Sequence, residues 1–105
     1  MTSSNSFHHG DGSNLVAVIG GGPWGRNHIK TWRQLGVLDS VCELDSKRQK
    51  TLKSEFPDLN FRSFDEILAD EAIKGIVIAT PAATHYSLAA KALSSGKDVL
   101  VEKPL

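Results

Sequence analysis

The sequence has little cysteine, no excess of charge and no long apolar run. Its 105 residues include one cysteine, Cys42, which excludes an intrachain disulfide and a cysteine-rich metal site. A reducing, cytoplasmic compartment is therefore the simpler expectation. Twelve Lys and Arg side chains balance twelve Asp and Glu, whereas nucleic-acid binding needs a basic surplus. No apolar run approaches membrane-spanning length, so we expect neither a nucleic-acid nor a membrane partner.

The first 14 residues, MTSSNSFHHGDGSN, are polar and contain no apolar core. We expect a disordered tail and no secretory signal there. His8 and His9 lack the rigid geometry and the further ligands that a metal site needs, so no metal site is expected. Residues 15–105 then form one domain, and a composition of 40% hydrophobic and 23% charged residues is typical of a soluble globular protein.

After the tail, apolar runs alternate with helical patterns. Leu15–Ile19 (LVAVI) and Gly75–Thr80 (GIVIAT) show no polar alternation, which is typical of strands buried on both faces of a parallel sheet. Shorter strands are predicted at Val37–Leu44, Asn60–Arg62 and Asp98–Val101. The strand–helix order with short connections predicts an α/β fold with a doubly wound parallel sheet of about five strands.

Four helices are predicted between these strands. In Pro23–Leu35, residues Ile29, Trp32 and Leu35 recur at three-residue spacing before a capping Gly36. The pattern S-x-x-Q/E predicts capping boxes at Ser46 and Ser63, which open the second and third helices. Leu52 and Phe56 share a face of the second helix, and Pro57 ends it.

The fourth helix is predicted to begin at a capping Thr84 and to end at Gly96. Its apolar side is predicted to carry Tyr86, Ala89, Ala90 and Leu93.

A glycine-rich turn, Gly20 to Gly25, lies where the first strand ends and the first helix begins. It contains G-x-G-x-x-G, in which Gly20 permits a tight turn, Gly22 leaves room for a pyrophosphate and Gly25 lets the helix approach the strand. Pro23 suits the first helical position, and Trp24 completes the turn. Free N–H groups and the helix dipole favour an anion here. The context predicts a dinucleotide-binding turn.

Glu43 lies 18 residues beyond Gly25, at the end of the second strand. A carboxylate at that place accepts hydrogen bonds from the adenosine ribose and repels a 2′-phosphate, which favours NAD over NADP. Asp45 is an alternative candidate for the carboxylate that binds the ribose. Lys47 and Arg48 could offset the repulsion, although a solvated helix start is the simpler interpretation of both.

Two further segments follow strands at the edge where open parallel sheets bind ligands. These are Thr80–His85 (TPAATH) and Glu102-Lys103-Pro104. A lysine there could exchange a proton with a substrate hydroxyl if burial or positive charge lowers its pKa. From chemistry alone, Lys103 could equally be a solvated lysine, and His85 a solvated histidine.

Residues 14–105 resemble the amino-terminal half of the Gfo/Idh/MocA (glucose–fructose oxidoreductase/inositol dehydrogenase) family. The matching segments are VAVIGGGPWGRNHIKTW, VCELD, GIVIATPAATHYSLAAKAL and GKDVLVEKPL. The A-T-P-x-x-T-H and E-K-P motifs are more specific to that family than the glycine motif is. The resemblance implies a Rossmann-type fold, NAD as cofactor and a sugar or nucleotide sugar as substrate. W-G-x-N and T-P-A-A-T-H-Y are closest to dehydrogenases of UDP-N-acetylhexosaminuronates.

The resemblance also implies roles for individual residues. Lys103 is the implied catalytic residue beside the nicotinamide, where it also contacts the cofactor. Thr80, Pro81 and His85 line the nicotinamide-ribose side, and Glu102 contacts the cofactor. The family's ribose-site residue is often Asp, whereas Glu43 here is one methylene longer.

Family enzymes continue past E-K-P with a substrate domain that this sequence lacks. We expect apolar surface near Val99–Val101 to be exposed or paired with another chain, for example in a homo-oligomer. One hypothesis is a dehydrogenase domain whose catalysis occurs in a longer chain. A second is a dinucleotide-binding module without turnover, and a third is a fragment too unstable to bind ligands.

Overall fold

The computed structural model describes residues 14–102. The predictions for the polar tail up to residue 13 and for Lys103 lie outside the described residues. None of the helices between residues 14 and 102 is long and apolar enough to cross a membrane.

Four parallel strands form the sheet. They are β1 (Leu15–Ile19), β2 (Leu38–Cys42), β3 (Ile73–Ile78) and β4 (Asp98–Val101). Their order is β2-β1-β3-β4, with every neighbouring pair parallel. The chain moves outward from β1 to β2 and then outward in the other direction from β3 to β4. The switch point therefore lies between β1 and β3, where open α/β sheets bind ligands.

The predicted strand at Asn60–Arg62 is a single parallel bridge between Phe61 and Val41. Two hydrogen bonds hold it, from Val41 N to Asn60 O at 2.9 Å and from Arg62 N to Val41 O at 3.0 Å. Ser63 already caps the next helix, so the segment has no length in which to extend the ladder. The α/β doubly wound fold is confirmed, but the described part of the sheet has four strands rather than five.

The helices cover both faces of the sheet. They are α1 (Pro23–Gln34), α2 (Ser46–Glu55), α3 (Phe64–Ala69) and α4 (Ala82–Ser94). Successive side chains of a strand point to opposite faces, so an unalternated strand supplies two cores. The core beneath α1 and α2 contains Val16, Val18, Ile29, Val41, Leu52, Phe56, Leu59 and Val77. The core beneath α3 and α4 contains Ala17, Ile19, Cys42, Ile67, Ile73, Ile76, Ile78 and Ala92.

The helix ends match the sequence predictions at some positions. Gly36 and Gly96 follow α1 and α4 with positive φ angles of 78° and 81°, as predicted. At α3 both bonds of the capping box are present, between Ser63 and Glu66.

The capping box predicted at Ser46 is wrong. Asp45 is the N-cap of α2 and accepts a hydrogen bond from Lys47 N at 3.0 Å. Gln49 donates instead to the carbonyl of Glu43 at 2.5 Å. A good capping carboxylate one residue earlier displaces the serine, and the glutamine finds a different backbone partner.

The predictions for α4 are also wrong in two respects. The helix begins at Ala82, and the Thr84 hydroxyl donates to Pro81 O instead of capping an N–H group. Tyr86 is 86% exposed and Leu93 is 60% exposed, whereas Ala92 is fully buried. Ala89 packs on the sheet as predicted, but its neighbours there are Leu88 and Ala92. The small side chains of Ala89 and Ala92 let α4 lie close to β3 and β4.

Candidate nucleotide-binding site

The carboxyl ends of the strands are joined by hydrogen bonds that continue the ladder. Gly20 N donates to Cys42 O at 2.8 Å, and Ala79 N donates to Ile19 O at 2.8 Å. Glu102 N donates to Ile78 O at 2.9 Å. The segments that leave β1, β3 and β4 therefore start side by side on one rigid edge.

The glycine turn contains two contacts that no larger residue would permit. A Cβ atom on Gly25 would lie 1.8 Å from Gly20 O, so this glycine lets α1 pack against the end of β1. Gly20 has a φ angle of +102°, and a Cβ there would lie 2.8 Å from Ala79 O. Gly20 and Gly25 thus occupy the positions that the glycine motif predicts.

The amino terminus of α1 is open. Gly22 is its N-cap and has no side chain with which to cap, and Pro23 occupies the first turn without an N–H group. A Cβ on Gly22 would have Arg48 Cζ as its nearest neighbour, at 3.9 Å. Trp24 is 39% exposed beside it. The helix end therefore presents free N–H groups and space, the two requirements for binding an anion.

Glu43 is tied into this turn from the end of β2. Its Oε1 accepts a hydrogen bond from Gly21 N at 2.7 Å, and its Oε2 accepts one from Asp45 N at 2.8 Å. The residue is 9% exposed. A Cβ on Gly21 would lie 2.5 Å from Leu52 Cδ1, so a larger residue at this position requires the Leu52 side chain to move. The motif G-x-G-x-x-G leaves Gly21 unspecified, and the run of three glycines is the only sequence signal for it.

A cavity of about 420 Å³ opens between the carboxyl ends of β1, β2 and β3. It brings together four residues predicted to bind the cofactor: Gly20, Glu43, Thr80 and Pro81. The other lining residues are Ile19, Cys42, Leu44, Arg48, Ser63, Phe64, Ala79, Thr84, Ser87 and Leu88. The cavity therefore combines an apolar wall with one buried carboxylate and one guanidinium.

The charged residues that follow Glu43 have different surroundings. Asp45 uses its carboxylate to cap α2. Lys47 and Arg48 are both exposed, as the interpretation as a solvated helix start predicts. Arg48 nevertheless lines the cavity, a location that this interpretation missed.

Cys42 borders the same cavity and is buried. Burial, and secondarily the negative charge of Glu43, raises the pKa of its thiol. The thiol is therefore protonated at neutral pH and a poor nucleophile. No group of three or more metal-ligating side chains occurs between residues 14 and 102.

The segment after β3 is held by three side-chain hydrogen bonds. His85 Nε2 donates to Thr80 O at 2.5 Å. The Thr84 hydroxyl donates to Pro81 O at 2.8 Å, so the Thr80 hydroxyl is the donor of the 2.7 Å bond to Thr84 Oγ1. His85 thus holds the main chain at Thr80, while Thr80 and Pro81 line the cavity.

Glu102 lies apart from the large cavity, on the other side of the phosphate turn. Its Oε1 is 2.6 Å from His28 Nε2 on α1. Together with Trp24, Asn27 and Thr31, the two residues line a second cavity of about 150 Å³. His28 was not among the predicted site residues, because no sequence pattern indicates that α1 reaches the end of β4. The predicted catalytic Lys103 follows Glu102 and lies outside the described residues.

Comparison with known proteins identifies the family. Residues 15–105 match a family model described as "Oxidoreductase family, NAD-binding Rossmann fold". The chain is 32% identical over 89 residues to UDP-N-acetylglucosamine 3-dehydrogenase of Acidithiobacillus ferrooxidans, covering 85% of this chain and 28% of that protein. It is 32% identical over 96 residues to inositol 2-dehydrogenase 1 of Saccharopolyspora erythraea, covering 86% and 28%.

A solved structure has a similar fold. GenD2 from gentamicin A biosynthesis, in complex with NAD, matches with a TM-score of 0.75 and 38% sequence identity over 89% of this chain. The match covers 28% of the GenD2 chain, so the sequence spans little more than a quarter of these relatives. The chain belongs to the Gfo/Idh/MocA family of oxidoreductases and corresponds to its NAD-binding Rossmann domain.

Proposed function

We propose that residues 15–105 bind NAD across the carboxyl edge of the sheet, with the adenosine at β2 and the nicotinamide near β4. The observation that carries this proposal is the buried Glu43 carboxylate, hydrogen-bonded to Gly21 N beside the open amino terminus of α1. A ribose acceptor and an anion-binding helix end are thereby held next to each other, as a dinucleotide requires.

The adenosine half has the chemistry of a nucleoside site. Each oxygen of Glu43 accepts one backbone hydrogen bond and retains a lone pair for a ribose hydroxyl. Leu44, Phe64 and Leu88 supply apolar surface in the cavity. A volume of about 420 Å³ lies within the range of small-molecule sites.

The pyrophosphate would bind at Gly22 and the first turn of α1. N–H groups and the helix dipole favour negative charge there, and the guanidinium of Arg48 lies near the same place. A phosphate on the 2′-hydroxyl would instead meet the Glu43 carboxylate, which favours NAD over NADP.

The nicotinamide end would contact Thr80, Pro81 and Glu102, with His85 supporting the loop that carries Thr80 and Pro81. Bound there, NAD supplies the hydride acceptor for oxidation of a carbon that bears a hydroxyl group. We propose Lys103 as the catalytic residue that takes up the hydroxyl proton and contacts the cofactor. The substrate class is a sugar or nucleotide sugar, which the names of the relatives support.

Oxidation needs substrate and cofactor oriented together. We therefore expect activity from a chain that also carries a substrate domain, and NAD binding without appreciable turnover from residues 15–105 alone. Calorimetric titration of the folded chain should show heat with NAD and weaker binding of NADP. The absence of binding to either would overturn the proposal, and sustained NADH production with a nucleotide sugar would contradict the expected lack of turnover.

Glu43→Gln tests the ribose assignment. The variant removes the negative charge and weakens the hydrogen bonds to the ribose, so NAD affinity should fall about tenfold. The preference for NAD over NADP should narrow, because the repulsion of the 2′-phosphate is gone. The measurement is calorimetric titration with both dinucleotides.

Asp45→Asn is the matched control. It removes the same charge two residues away and retains an equally good N-cap for α2. Its NAD affinity and its NAD preference should stay within about twofold of the parent. A loss of the preference for NAD over NADP in Asp45→Asn but not in Glu43→Gln would show that Asp45, and not Glu43, contacts the ribose.

A further inference from the structure

We infer that His28 is a positioning residue for the nicotinamide end of the proposed NAD site and that it acts through Glu102. The inference rests on the proposed function, because it assigns a part of the same site. It concerns a residue on α1 that lies outside the glycine motif.

The two residues are 74 positions apart in the sequence and are joined by a hydrogen bond of 2.6 Å. Their side chains are 18% and 31% exposed, so the bond is shielded from most of the solvent. Glu102 is also fixed through its backbone, since its N–H donates to Ile78 O at 2.9 Å. Glu102 thus has two anchors, one from β3 through the main chain and one from α1 through His28.

The location of this pair fits the nicotinamide half. Glu43 marks the adenosine end at β2, and the sheet order β2-β1-β3-β4 places the end of β4 on the far side of the phosphate turn. Helix α1 carries both the open N–H groups of its first turn and, at its sixth residue, His28. The pair therefore ties the phosphate-binding helix to the strand end where the nicotinamide is proposed to lie.

The chemistry of the pair leaves a group available for the cofactor. The imidazole Nε2–H donates to Oε1 of the Glu102 carboxylate, which fixes the side-chain rotamer and the ring tautomer. In the part of the chain that the structure describes, Glu102 Oε2 has no hydrogen-bond partner. A carboxylate oxygen held in this way is an acceptor for a ribose hydroxyl. Holding Glu102 also fixes the start of the segment that continues into Lys103.

A purely structural ion pair would stabilise the fold and would affect all ligands of the edge alike. A positioning role would affect only ligands that carry nicotinamide and its ribose. NAD and ADP separate the two cases, because both contain the adenosine and pyrophosphate while ADP lacks the nicotinamide and its ribose.

The experiment is calorimetric titration of the 105-residue chain and its variants with each of the two ligands. His28→Ala should weaken NAD binding about threefold to tenfold and change ADP binding by less than about twofold. His28→Gln should recover part of the NAD affinity, because the amide Nε2 can donate in place of the imidazole. In a Glu102→Ala background, His28→Ala should have no further effect on NAD binding, since its partner is absent.

Arg33→Gln is the matched control. It breaks another cross-element pair of α1, between Arg33 Nε and Asp58 Oδ1 at 2.9 Å, away from the strand ends. It should leave the affinities for both ligands unchanged.

Equal weakening of both ligands in His28→Ala, or no weakening of NAD, would overturn the inference. So would a full effect of His28→Ala in the Glu102→Ala background. If the parent chain binds ADP but does not distinguish NAD from it in any variant, the inference fails while the adenosine half of the proposed function stands. If the parent binds neither ligand, the proposed function itself fails.

Discussion

At the scale of single residues, Gly22 and Gly25 lie three positions apart and have opposite surroundings. A Cβ on Gly25 would overlap with Gly20 O at a distance of 1.8 Å, whereas the nearest atom to a Cβ on Gly22 would be 3.9 Å away. The backbone of Gly22 has φ −71° and ψ −167°, which alanine adopts without strain. Packing therefore requires glycine at position 25, whereas the fold has room for a side chain at position 22, where the proposed pyrophosphate is the reason for glycine.

The two alanine variants should separate stability from binding. Gly25→Ala should lower the free energy of unfolding by about 1–3 kcal/mol, since α1 must move away from β1. Gly22→Ala should change the free energy of unfolding by less than about 1 kcal/mol and lower NAD affinity at least tenfold, because the methyl group occupies the proposed phosphate position. Urea denaturation and calorimetry measure the two quantities. Unchanged NAD affinity in a folded Gly22→Ala variant would place the pyrophosphate elsewhere.

At the scale of elements, one sequence pattern gave two outcomes. S-x-x-E at Ser63 forms a capping box, whereas S-x-x-Q at Ser46 does not. The pattern could not decide, because Asp45 precedes Ser46 and competes for the same N–H groups. The apolar face of α4 was predicted incorrectly for a related reason. Helical periodicity is compatible with a face around Leu93 and with a face around Ala92, and the buried face is the one around Ala92, where the side chains are small.

The capping difference can be measured. Ser63→Ala should lower the free energy of unfolding by about 1 kcal/mol, because it leaves Glu66 N without its acceptor. Ser46→Ala should change it by less than about 0.5 kcal/mol, because Ser46 lies inside the first turn, where alanine is a good helix former. Urea denaturation of both variants tests the assignment. Equal losses would show that Ser46 contributes to the cap.

At the scale of the whole molecule, the sheet and the cofactor edge were predictable because they follow from repeated local patterns. Strands buried on both faces carry no polar alternation, and the glycine motif fixes where the first helix starts. The contact between His28 and Glu102 was not predictable, since it depends on the angle at which α1 crosses the sheet. The cavity position of Arg48 was missed because side-chain direction at a helix start is set by tertiary packing.

The acid stability of the molecule follows from four surface carboxyl groups. Hydrogen bonds lower their pKa values in the folded state: Glu55 with Arg26, Asp58 with Arg33, Glu66 with the Ser63 backbone, and Asp70 with Arg62. A lowered folded-state pKa adds stability above the ordinary value, and that stability is lost as the pH falls toward the folded value. All four carboxyl groups therefore make the folded state less stable as the pH falls.

The free energy of unfolding should consequently fall as the pH is lowered below about 4.5, and added salt should flatten the decline because the groups are exposed. Arg62→Gln removes the partner of Asp70, and should make the decline shallower than in the parent. Denaturation at a series of pH values measures it. A decline of unchanged steepness in Arg62→Gln would mean that the bond from Arg62 to Asp70 does not contribute.

At alkaline pH the free energy of unfolding depends on two buried groups, Lys97 and Cys42, whose pKa values are shifted in opposite directions. Desolvation is the main cause that lowers the pKa of Lys97, whose Nζ donates to Asp70 O and Ile73 O. Its contribution to stability rises as the pH approaches the ordinary value of 10.5. The raised pKa of Cys42 stabilises the fold below its ordinary value of 9.0 and is lost above it. Cys42→Ala removes the loss that comes from the thiol and leaves the gain that comes from Lys97. Between pH 9 and 10.5, the free energy of unfolding of the variant should therefore rise relative to that of the parent.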